Sequence, residues 1–161
     1  MKKYIFITGT VLVMVLIFCF SMENSSESLH RSGGITDFIM KTFIRGYQDM
    51  SDSEKESFLK DADYIIRKLA HFSIYTVLGF LVSSAVGRRK LFSTGSLITV
   101  TFGFLYACSD ELHQYFVSGR SCRFSDVIID TGGVIAGIII SMAVFRILSA
   151  FKHKSSDSPL R

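Results

Sequence analysis

The sequence predicts an all-α, polytopic membrane protein with four transmembrane helices and amphipathic helices in its first extracytoplasmic loop. Three observations carry this expectation. Four apolar runs stand out among the 161 residues: Tyr4–Phe20, Ala70–Val86, Leu91–Cys108 and Val127–Leu148. Each matches the roughly 17–25 residues that a helix needs to cross a bilayer. Of the 18 Lys and Arg and 14 Asp and Glu residues, only Asp130 and Arg146 fall inside these runs. Helices of such length in a soluble domain would need polar faces, and these lack them. The third observation is the sorting of charge. Both termini and the loop 87–90 together with Arg146 hold nine bases against one acid, whereas the segments 21–69 and 109–126 together with Asp130 hold nine bases against thirteen acids. The positive-inside rule therefore puts both termini in the cytoplasm. A soluble enzyme, a secreted disulfide scaffold and a disordered chain are excluded.

Taken in order, the first run follows Lys2 and Lys3 as a signal peptide would. Its apolar stretch is longer than usual for a signal, and no small-x-small cleavage site follows, so it is read as an uncleaved span. The long segment 21–69 opens Ser-rich and reaches Gly33-Gly34, which reads as a turn or break. Ile35, Phe38, Ile39 and Phe43 then recur at helical spacing. Ser51-Asp52-Ser53-Glu54 has the pattern of a capping box, and Phe58, Leu59, Ala62, Ile65, Ile66 and Leu69 form one helical face behind it. Both stretches suit either the membrane interface or the outer ends of the bundle. Arg67-Lys68, just outside the second span, runs against the charge rule. A single domain over 1–150 and a tail over 151–161 are expected. Cys19, Cys108 and Cys122 carry no Cys-x-x-Cys spacing, and a lone Cys in an apolar run is usually a packing residue.

The polar residues of the last three spans converge at one depth. Lys68, His71 and Tyr75 share a helical face by their i, i+3, i+7 spacing. Asp110 and Gln114, with Glu111 beside them, continue the face of Gly103 and Ala107. Asp126 and Asp130 continue into Gly133 and Gly137, whose G-x-x-x-G spacing permits close helix approach. Asp130 lies about one turn inside the apolar run, where an unpaired carboxylate is expensive, and His71 is similarly costly. Each residue alone has a bland reading: snorkelling for Lys68, packing for Tyr75, helix ends for Asp110, Glu111 and Asp126. Their coincidence points to a shared polar site, over which the turn 116–120 can fold Arg120. His71, Asp110, Glu111 and Asp130 are candidate general acids or bases. Lys68 and Arg120 suit a phosphate or carboxylate, and mixed imidazole and carboxylate groups also suit a divalent cation. Residue types do not choose among these. No cofactor or resident metal is assigned, and no nucleic-acid partner is expected.

Two blocks carry a family resemblance. Lys68, His71, Phe72, Tyr75, Leu78 and Gly79 resemble the Lys-x-x-His-Phe-x-x-Tyr-x-x-Leu-Gly signature of VanZ-like proteins. Asp110-Glu111, Gln114, Phe116 and Gly119-Arg120, followed by Asp126-Val127 and Gly132-Gly133, resemble that family's second block. Asp130 stands where relatives often carry Asn, and Ser118 where they often carry Pro. The resemblance implies a protein of the bacterial cytoplasmic membrane. Through the family's founding member it implies a contribution to low-level teicoplanin resistance. Beside the bilayer itself, a lipid-linked cell-wall precursor or a phospholipid headgroup is the partner that would suit the basic residues. The enzymatic alternative is a membrane hydrolase or transferase using His71 and a carboxylate.

Overall fold

The computed structural model describes residues 2–22, 25–44, 46–47, 50–87, 91–120 and 122–156, with the side chains of 2, 25–32, 35 and 153–156 left undescribed. Among these residues the chain forms five helices: α1 (Lys2–Ser21), α2 (Ser25–Phe43), α3 (Asp52–Val86), α4 (Thr94–Tyr115) and α5 (Phe124–Ser156). Three of them, α1, α3 and α5, are long and apolar enough to cross a membrane. Their large apolar side chains, such as Leu12, Val77, Ile128 and Ile139, remain exposed, as suits a helix whose solvent is lipid.

Three expectations about the elements are corrected. The amphipathic stretch from Ser51 and the second span are not separate helices but one, α3, of 35 residues. Nothing between 52 and 78 is Gly or Pro, so no residue interrupts the ladder where polar sequence gives way to apolar. Gly33-Gly34 forms no break either, because α2 runs through both. The expected third span, 91–108, is displaced: α4 begins at Thr94 and continues to Tyr115. Its apolar part before the first carboxylate is only about 22 Å long, short of the roughly 30 Å hydrocarbon core. It is therefore not among the three helices apolar enough to cross.

Helix starts follow local chemistry. Ser51 closes the expected capping box, accepting from the Glu54 N–H while Glu54 accepts from the Ser51 N–H. Ser93 caps α4 through the Ser96 N–H. Gly87 ends α3 in the left-handed region at φ 73°.

The bundle is held by backbone proximity more than by bulk. A Cβ on Gly137 would lie 2.1 Å from the Thr76 carbonyl oxygen, and one on Gly133 would lie 2.5 Å from that of Phe72. Gly79 answers from α3, where a Cβ would meet the Val134 carbonyl oxygen at 2.3 Å. α3 and α5 thus cross where neither has room for a side chain, the packing that membranes favour. Val134 also fills the space left by Gly103 of α4. The Tyr106 hydroxyl donates to the Met14 carbonyl oxygen at 2.7 Å, tying α4 to α1. Ser84 and Ser141 share a hydrogen bond of 3.1 Å across α3 and α5. Cys19, Cys108 and Cys122 are all free thiols.

α2 is fastened to the first half of α3. The Thr36 hydroxyl donates to Asp63 at 3.4 Å, and Arg67 Nε lies 3.2 Å from the other oxygen of the same carboxylate. Asp63 is buried, so the charge-rule exception at Arg67 has a local reason: it compensates an acid that docks α2.

Candidate functional site

The polar end of the bundle gathers one stretch from each of four helices. α1 ends there at Ser21, α3 enters its apolar part there, α4 leaves its apolar part there, and α5 begins there. Helical periodicity does the placing. Lys68, His71 and Tyr75 occupy one face of α3, Asp110, Glu111 and Gln114 the inner face of α4, and Asp126 and Asp130 successive turns of α5.

The outer layer is satisfied. Lys68 Nζ forms an ion pair with Asp126 and stands 5.0 Å from the centre of the Tyr64 ring. The Ser125 hydroxyl also donates to Asp126, at 2.9 Å. Asp126 therefore sits in the first turn of α5 with a cation on it and the helix dipole beneath it. Gly119, at φ 76°, turns the chain after α4 and delivers Arg120 to the end of α1. There its Nη2 donates to the Phe20 carbonyl oxygen at 3.2 Å, one of the carbonyls a helix C-terminus leaves without an internal partner. The fold-back expected of the 116–120 turn thus occurs, and α1 receives it.

The inner layer is not satisfied throughout. Gln114 Nε2 donates to Asp110 at 3.1 Å, and the Arg123 backbone N–H donates to Glu111 at 2.9 Å. Asp130 is fully buried, and neither of its oxygens accepts a hydrogen bond. His71 Nδ1 approaches it at 3.7 Å, within ion-pair reach and beyond hydrogen-bond length. The Tyr75 hydroxyl is buried and without a partner. Its ring stands 6.3 Å from that of Tyr106. One ligand atom each of His71, Asp110 and Asp130 lies within 4.8 Å of the others.

The structure therefore brings His71, Tyr75, Asp110, Glu111, Gln114 and Asp130 into one buried group, with Lys68, Asp126 and Arg120 around its rim. Gly133 and Gly137 lie on the α3 contact below. His113 stands apart, its ring 4.8 Å from that of Phe18. Sequence reasoning missed Ser21, which is buried against this group from α1 with its hydroxyl toward Asp110. It also missed Tyr106. Neither has a signal in spacing, because their positions depend on how α1 and α4 pack.

What the group can do chemically is limited by its partners. Both oxygens of Asp130 stand without a donor, so the group can hold a cation, share a proton between His71 and Asp130, or bind a ligand that brings donors of its own. The chain matches the family model described as VanZ/LLP1 over residues 6–146, which include every residue of this site. No curated protein and no solved structure matches it. With nearly nine-tenths of its length covered by that one model, this multi-pass membrane protein belongs to the VanZ/LLP1 family.

Proposed function

We propose that this protein binds an anionic, lipid-linked component of the bacterial envelope at the polar end of its bundle, and so contributes to glycopeptide tolerance of the teicoplanin type. The observation that supports this reading most is depth. His71, with 32% of its side chain exposed, and Lys68, with 17%, stand where the apolar stretches of α3, α4 and α5 end. Phosphate headgroups occupy that level of a bilayer, and Lys68, His71 and Arg120 are the residue types that engage them. In this reading α4 is a fourth crossing, both termini are cytoplasmic and the site faces outward, as the charge distribution favours. Binding there would alter the display of a cell-wall precursor or the access of a drug to it.

Native mass spectrometry of gently extracted protein tests this. A retained phosphate-bearing lipid is expected on the wild type. Arg120→Ala and His71→Ala should each lose it while accumulating normally. Equal retention by both variants at equal abundance would remove the proposal.

The close approach of His71 to Asp130 favours a second reading, a membrane hydrolase or transferase in which Asp130 orients His71 as a general base. Turnover of a labelled lipid precursor by purified protein, abolished in His71→Ala, would favour the enzyme over the binder.

A further inference from the structure

Three buried carboxylates meet at the polar end of the bundle. Asp110, Glu111 and Asp130 lie close enough to repel one another. The Arg120 guanidinium acts on this group from the rim, while Lys68 is engaged with Asp126. Asp130 is the deepest of the three carboxylates, wholly buried with no hydrogen bond to either oxygen. Such an acceptor at the edge of the apolar region is costly unless something satisfies it.

The identity of the unsatisfied atoms says what would satisfy it. Both oxygens of Asp130 and the Tyr75 hydroxyl are buried without partners, and His71 has a nitrogen within reach of Asp130. Three different helices each present one ligand: His71 from α3, Asp110 from α4 and Asp130 from α5, with ligand atoms within 4.8 Å of one another. Ligands around a small divalent ion at about 2.1 Å stand roughly 3–4 Å apart. Side-chain movements of the order of an ångström close that gap. The half-exposed edge of His71 offers the way in.

We propose that His71, Asp110 and Asp130 form a site for one divalent cation, with the Tyr75 hydroxyl holding a water or ligand oxygen on it. One imidazole and two carboxylates suit Mn²⁺ or Zn²⁺ better than Ca²⁺, which prefers six to eight oxygens. The ion would join α3, α4 and α5 at a single point. The site stands whether or not a headgroup binds above it, so its test uses the metal alone.

Full-length protein purified in detergent and stripped with EDTA should bind one Mn²⁺ per chain by electron paramagnetic resonance, and its thermal midpoint should rise with added Mn²⁺ or Zn²⁺. Asp110→Asn and Asp130→Asn keep shape and remove one charge each. Both should weaken Mn²⁺ binding about tenfold or more, a loss typical even of residues that only support a metal ligand. In EDTA each should melt at or above the stripped wild type, because an uncompensated buried charge is gone. Asp37→Asn, on α2 beside Lys41, should bind Mn²⁺ as the wild type does. Less than one equivalent on the wild type, or unchanged affinity in both Asn variants, would overturn the proposal. So would unfolding of the Asn variants in EDTA under conditions where the wild type stands, since the carboxylates would then be satisfied from within the protein.

Discussion

A phenol hydroxyl buried without a hydrogen bond costs roughly 1–3 kcal/mol relative to leaving it hydrated, and Tyr75 carries one at the centre of the bundle. Tyr75→Phe keeps the ring and removes that burden. In EDTA it should unfold at a higher temperature than the wild type, a gain of about 1 kcal/mol. A lower midpoint would mean that the hydroxyl has a protein partner. The residues of the site were largely legible in the sequence, because i, i+3, i+7 spacing fixes which side chains share a face. What spacing could not say is which face meets which. By residue type, Lys68 or Arg120 suits Asp130 as a partner. The crossing of α3 and α5 gives Lys68 Asp126 and leaves Asp130 to His71.

Elements are where sequence reading and structure part most clearly. The apolar run at 70–86 was visible, but its fusion with the helix from Ser51 was not, because attention to hydropathy places a boundary where only a change of solvent occurs. The absence of Gly or Pro was the available signal. α4 differs in its bounds: the apolar run stops at Cys108, whereas the helix continues to Tyr115 and carries Asp110 and Glu111 on the buried face that their spacing with Gly103 and Ala107 predicts. Gly137→Ala puts a methyl group where the Thr76 carbonyl oxygen stands, forcing α5 off α3. It should cost about 1–3 kcal/mol, as overpacking does, and lower the thermal midpoint of the detergent-extracted protein; an unchanged midpoint would show that the helices can part there freely. Asp63→Ala leaves Thr36 and Arg67 without their shared acceptor. A loss of about 1–3 kcal/mol should appear as faster hydrogen exchange across residues 25–43, with 124–150 unaffected. Uniform acceleration along the chain would instead make Asp63 a determinant of the whole fold.

For the whole molecule, the charge distribution fixes the expected orientation. A single cysteine at Ser53 in a background without Cys19, Cys108 and Cys122 should react with an impermeant maleimide in intact cells. One at Ser156 should react only after permeabilisation, and the reverse pattern would move the polar site to the cytoplasmic side. The two bases that oppose this orientation are both engaged, Arg67 by Asp63 and Lys68 by Asp126.

The unbroken length of α3 has a mechanical consequence. Thirty-five residues make a rod of about 52 Å, and the hydrocarbon needs about 30 Å of it. The remaining 20 Å or so is length beyond that thickness, a mast with the Ser51 cap at its tip and Lys68, His71 and Tyr75 near its foot. Spanning helices lean to accommodate bilayer thickness, by about 20° on average. A lean of that size swings the masthead sideways by roughly 7 Å, while the foot, acting as the fulcrum, hardly moves. Membrane thickness is thus amplified at the rigging that α2 provides through Thr36 and Asp63, and damped where the buried carboxylates lie.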